Sequence, residues 1–111
     1  MLYVEVDNTI RLTRGDTAYL EIPIVNDITE EEYVISPDDT LTFSVKRSVK
    51  DTNVIFSKTI RGANIIHITP DDTRQCEFGK YKYDVQLTTA EGDVYTVIEP
   101  TCFEVLSEVT T

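Results

Sequence analysis

The chain has no tryptophan, one methionine, one histidine and two cysteines among its 111 residues, with four glycines and four prolines. Each scarcity removes a class of chemistry. Cys76 and Cys102 are too few for a disulfide scaffold, and their spacing forms neither a CxxC pair nor a zinc pattern. They are expected as reduced, partly buried thiols. The glycines build no GxGxxG, no phosphate loop and no nucleophile elbow. The single histidine, His67, stands between Ile66 and Ile68, where strand alternation turns it to the opposite face. No serine or cysteine nucleophile is tied to it by pattern, so it reads as a solvent-facing strand residue rather than a general base. No catalytic residue and no cofactor is expected.

Basic residues are also scarce. Twenty acidic side chains against ten basic ones give a formal charge of −10. That field repels phosphate backbones and anionic lipid surfaces, so neither nucleic acid nor membrane is an expected partner. No apolar run approaches the roughly 20 residues that cross a bilayer. The segment Met1-Leu2-Tyr3-Val4-Glu5-Val6-Asp7 lacks the basic start and apolar stretch of a secretory signal, and synthesis in the cytoplasm is expected.

What is present is period two. Leu20, Ile22 and Ile24 alternate with Glu21 and Pro23; Leu41, Phe43 and Val45 with Thr42, Ser44 and Lys46. Tyr81, Tyr83, Val85 and Leu87 alternate with Lys80, Lys82, Asp84, Gln86 and Thr88. Such patterns send one set of side chains to a core and the other to water. Weaker runs at 10–13, 54–60, 65–69 and 94–105 read the same way. Turn residues fall between them: Gly15-Asp16, Pro37-Asp38-Asp39, Lys50-Asp51, Arg61-Gly62 and Glu91-Gly92-Asp93. The expectation is one domain over 1–111, all-β, an immunoglobulin-like two-sheet antiparallel sandwich of about seven strands. Pro23 and Pro100 lie inside strand patterns and predict sheet edges or bulges.

Two pentapeptides share one design: Ser36-Pro37-Asp38-Asp39-Thr40 and Thr69-Pro70-Asp71-Asp72-Thr73. In each, the hydroxyl residue caps a short turn, proline suits the next position, and the acid three residues on reaches back. Both predict one-turn capped corners. The segment Glu77-Phe78-Gly79-Lys80-Tyr81-Lys82-Tyr83 resembles the tyrosine corner of immunoglobulin-like domains, where a Tyr hydroxyl bonds back to the backbone of the loop before its strand. Tyr81 is the expected corner tyrosine, with Gly79 supplying a tight approach. Without tryptophan or a cysteine pair on the central strands, an antibody-type domain is not the reading.

If the strands simply alternate direction, three loops share one end of the sandwich. That end collects Asp27, Glu30, Glu31, Glu32, Glu91 and Asp93 against Arg61 alone. The opposite end mixes Arg14, Asp16, Lys50, Asp51, Asp71, Asp72 and Arg74 into paired corners. Calcium needs convergent carboxylates, and no EF-hand spacing is present, so no metal site is expected and the acids read as hydrated. Arg14-Gly15-Asp16 spells an integrin-binding tripeptide and is read as ordinary turn chemistry.

From end to end, strand cores and corners resemble phage and prophage β-sandwich domains, of the type of the N-terminal domain of baseplate upper proteins from phages of Gram-positive bacteria. The resemblance is carried by Arg14-Gly15-Asp16-Thr17 with Leu20-Glu21-Ile22-Pro23-Ile24, and by Tyr33-Val34-Ile35 leading through Pro37-Asp38-Asp39-Thr40 into 41–46. It continues through Lys58-Thr59-Ile60, Ile66-His67-Ile68, Asp72-Thr73 and, most densely, 79–87, and closes on 92–96 with Phe103-Glu104-Val105. It spans about residues 9–106. It implies a virion structural module, non-enzymatic, docking onto other virion proteins in the baseplate, tail or head decoration and assembled in the host cytoplasm. Association with itself as a homo-oligomer fits the same reading. Members of that family often continue into a long stalk and a receptor-binding head, whereas this chain ends at Thr111, so receptor binding is not carried over as an expectation.

The contacting loops expected are 27–33 (Asp27, Glu30, Glu31, Glu32, Tyr33) and 90–93 (Glu91, Asp93), because a rigid sandwich presents recognition on its loops. The alternative is an immunoglobulin-like adhesion or carbohydrate-binding domain at a cell surface, with Tyr3, Tyr19, Tyr33 and Tyr95 as an aromatic platform.

Overall fold

A computed structural model describes residues 3–4, 8–25 and 29–108. Among them are eight strands and one helical turn: β1 (Tyr3–Val4), β2 (Ile10–Thr13), β3 (Ala18–Glu21), β4 (Thr40–Lys46), β5 (Val54–Arg61), β6 (Ile65–Ile68), α1 (Pro70–Arg74), β7 (Gly79–Thr88) and β8 (Val94–Leu106). The fold is all-β. One sheet has six strands in the order β1-β2-β8-β7-β4-β5, and β3 pairs with β6 in a second sheet of two.

Alternation in sequence becomes alternation in burial. In β4, Leu41, Phe43 and Val45 are fully buried while Thr40, Thr42, Ser44 and Lys46 are half-buried on the outer face. In β7, Tyr81, Tyr83, Val85 and Leu87 point inward. Leu20, Ile66 and Ile68 of the small sheet pack against them in one core. At its centre Phe43, Phe56, Tyr83 and Phe103 meet with ring centroids 5.1–6.3 Å apart. Each fully buried phenylalanine among them, Phe43 and Phe103, contributes about 1.5–3 kcal/mol by leaving water, and the half-buried Phe56 less.

Both capped corners form. Thr69 donates its backbone N–H to Asp72 Oδ2 at 2.7 Å, and the Asp72 N–H bonds back to Thr69 O at 3.1 Å. The Ser36 N–H reaches Asp39 Oδ2 at 3.0 Å in the other copy. Pro100 lies in β8 where the register with β7 shifts, between the Thr101 and Ile98 pairings, so its missing N–H falls at a bulge. Pro23 ends the second sheet instead. β3 stops at Glu21, and the Ile22 carbonyl is taken by Asn64 Nδ2 at 3.1 Å, a side chain replacing the ladder that proline cannot continue.

Two details of topology differ from expectation. β2 runs parallel to β8, with Ile10 opposite Phe103 and Thr13 opposite Leu106, so the large sheet is not wholly antiparallel. No hairpin links these strands, and their orientation is free to follow the path of the chain into β3. The second is β1, a short strand antiparallel to β2 that adds an eighth to the seven expected.

Candidate interaction site

The corner before β7 is built from the two residues that the sequence singled out. Tyr81 is buried, and its hydroxyl donates to Glu77 O at 2.8 Å, closing the loop after α1 onto the strand. Burial pushes the Tyr81 hydroxyl above its ordinary pKa, so it stays a donor, and the Arg47 guanidinium stacks over its ring at 4.8 Å. Gly79 serves differently from expectation. Nothing lies within 4 Å of where a Cβ would stand, so no close approach demands glycine. Its φ of +133° does.

The three loops do gather at one end. Asp39, only 2% exposed just before β4, stands where they meet. Its Oδ2 accepts the Tyr33 hydroxyl at 2.5 Å and the Ser36 N–H at 3.0 Å, and the turn at Ala90 lines the groove beside it. These donors, Tyr33 first, hold the carboxyl below the usual range although burial opposes them. The same bond pushes Tyr33 upward, helped by burial and by the charges of Asp39 and Glu91. Gly62, at φ +71°, donates its N–H to Asp39 O at 2.9 Å, and a Cβ there would meet Pro37 O at 3.2 Å. Arg61 pairs with Asp38 at 2.9 Å.

A groove of about 880 Å³ opens between the chain after β3 and the turn from β7 to β8. Ile24, Val25, Leu87 and Val97 give it apolar walls; Tyr33, Tyr95, Glu91 and Asp93 also line it. Of the expected contact residues, Tyr33, Glu91 and Asp93 are thus brought together. Glu30, Glu31 and Glu32 are exposed beside them without lining the groove, and Glu32 bridges to Val25. Asp27 lies outside the described residues. Sequence reasoning missed Asp39 as an organiser and Val97 as lining, whereas Tyr95 stands with Tyr33 in the aromatic platform of the alternative reading. The alternation of Tyr95 with Thr96 and Val97 carried a signal for Val97.

Other singled-out residues have local explanations. His67 is exposed and stacks on Tyr19 with ring centroids 4.4 Å apart. Tyr19 therefore belongs to the small sheet, away from the groove that Tyr33 and Tyr95 line. In the tripeptide turn, Arg14 is held by Glu108 at 3.0 Å and lies over the Phe78 ring, while the Gly15 N–H donates to Thr73 Oγ1. Cys76 is buried, its thiol pushed up by burial, and Cys102 faces the outer side of the sheet opposite Lys82. Among the described residues no three His, Cys, Asp or Glu side chains are placed to share a metal ion. No described helix is long and apolar enough to cross a membrane. Comparison with family models, curated proteins and solved structures finds no match to this chain.

Proposed function

We propose that this chain is a non-enzymatic assembly module of a phage particle, an immunoglobulin-like β-sandwich that docks onto neighbouring virion subunits. The observation that carries this reading is the loop end: Asp39 binds Tyr33, Ser36 and Gly62 beside the turn at Ala90, and these segments frame an apolar groove with acidic residues at its border. Preformed, apolar and rigidly mounted, such a surface suits protein docking. The immunoglobulin-like assignment is supported by the strand order, by the parallel seat of β2 on β8 and by the Tyr81–Glu77 bond. The phage setting is supported by the resemblance along 9–106. Mass spectrometry and cryo-electron microscopy of purified particles from a host that encodes the chain test it. The chain is expected as a stoichiometric subunit, and particles without it sink the reading.

A further inference from the structure

β8 is the longest strand, yet β2 accompanies it only over Phe103–Leu106. From Val94 to Ile98 it pairs with β7 on one side and, among the described residues, with no strand on the other. An unpaired edge presents backbone N–H and C=O groups to any extended chain that arrives. The other long edge of the sheet is defended. In the middle of β5, Lys58 sits on the apolar face between Phe56 and Ile60 and bonds to Asp72 at 2.8 Å. A charge turned inward on an edge strand blocks pairing with a second chain. β8 carries no such charge between Val94 and Ile98, and its one irregularity there is a bulge at Val97, where the register with β7 shifts between the Thr96 and Ile98 pairings, so regular pairing is offered chiefly by Val94–Thr96.

The groove reaches this same edge. Tyr95, Thr96 and Val97 are consecutive, so their side chains point alternately to opposite faces, yet all three line it. The groove therefore borders β8 itself along these three residues. A strand laid along β8 would send alternate side chains onto Leu87, Val97 and Ile24 and the others toward solvent. Glu91 and Asp93 line the groove and Glu99 follows Ile98 in the strand, all three exposed. Among the described residues the cation placed at this end, Arg61, is already paired with Asp38.

We infer that the β8 edge over Val94–Ile98, with the groove beside it, docks an extended strand of another protein that carries alternating apolar residues and several Lys or Arg. This rests on the assembly reading and names the chemistry of the partner. Backbone hydrogen bonds supply the pairing, the groove selects the apolar set, and the acidic border selects the basic set. A second copy of this chain is the poorer occupant, because it brings the same carboxylates to the contact.

The test titrates isotope-labelled protein with a blocked peptide of alternating Val and Lys or Arg, acetyl-Lys-Val-Arg-Val-Lys-Val-Arg-amide, and with its counterpart in which Glu replaces every basic residue. Amide shifts are expected at 94–98 and at the groove walls, with the acidic peptide at least tenfold weaker and binding falling as salt rises. Reversing two exposed charges, Glu91→Lys with Asp93→Lys, is expected to cost at least tenfold in affinity with the rest of the spectrum unchanged. Shifts scattered over the acidic surface but missing from 94–98, or equal binding of both peptides, overturn the proposal. So does a stable dimer by light scattering whose contact protects the 94–98 amides. These outcomes are separate from the particle experiment. A chain present in particles whose β8 ignores the peptide loses the docking site alone, whereas a binding chain absent from particles loses the assembly reading.

Discussion

Replacing Tyr81 by phenylalanine keeps the ring that fills the core and removes only the bond to Glu77 O. The expected loss is about 1 kcal/mol, because one hydrogen bond disappears and the ring packing stays. For a domain of this size that lowers Tm by roughly 4–8 °C, readable by calorimetry. An unchanged Tm would mean that the corner does not depend on the bond. Two glycines give a comparison. Gly79→Ala meets open space and suffers only backbone strain, on the order of 1 kcal/mol. Gly62→Ala, at φ +71°, bears the smaller backbone strain of the left-handed region but adds a close contact with the Pro37 carbonyl, and it is expected to destabilise as well. A Gly62→Ala variant as stable in urea as the parent would count against that contact. Tyr81 was legible because its corner is a local pattern. Asp39 was not: its bonds to Ser36 and Tyr33 are local and leave no periodic trace, and its carbonyl meets the Gly62 N–H only once β4 and β5 have paired.

At the scale of elements, β4 and β7 could be read from sequence because both edges of each are covered and one face alone is buried. Their alternation is therefore clean. β5 is an edge strand, half exposed, and its sequence blurs accordingly. Lys58 breaks the apolar row of Phe56 and Ile60, and the reason is three-dimensional: Asp72, four residues beyond β6, reaches over to pair with it. The Asp72 carboxyl feels burial first, but the Lys58 and Thr69 hydrogen bonds outweigh it and hold it below its ordinary range. Lys58→Val is expected to leave an uninterrupted apolar row on an open edge. Light scattering should then show association that grows with concentration; a monodisperse variant would indicate that β5 is protected by something other than this charge. The parallel seat of β2 and the uncovered stretch of β8 left no periodic trace, since both depend on where strands end relative to one another.

For the whole molecule, the carboxylates set the response to acid. Asp39 and Asp72 both have folded pKa values below their unfolded ones. The stability they supply is complete above the ordinary carboxylate range and disappears as pH falls through their depressed values. Unfolding monitored by circular dichroism is expected to grow easier below about pH 4, and the Asp39→Asn variant should show a shallower acid dependence. Tyr33 and Tyr81 work in the opposite direction. Their raised values mean that stability declines as pH climbs past about 10, where the unfolded chain ionises first. A flat profile at both extremes would contradict these assignments.

The pairing of β2 with β8 also decides how the domain responds to tension. The strands are parallel and belong to opposite ends of the chain, so pulling on the two termini drags them lengthwise past each other. Their hydrogen bonds then share the stress and must fail together, along with the Arg11–Glu104 and Arg14–Glu108 ion pairs that straddle the seam. A hairpin pulled at its open end unzips one bond at a time. In a single-molecule pulling experiment the domain is expected to hold as a clasp and release in one abrupt event, earlier when Leu12→Pro interrupts the seam. Gradual yielding from the termini would show that the clasp does not engage. A subunit with this geometry tolerates traction along its own chain.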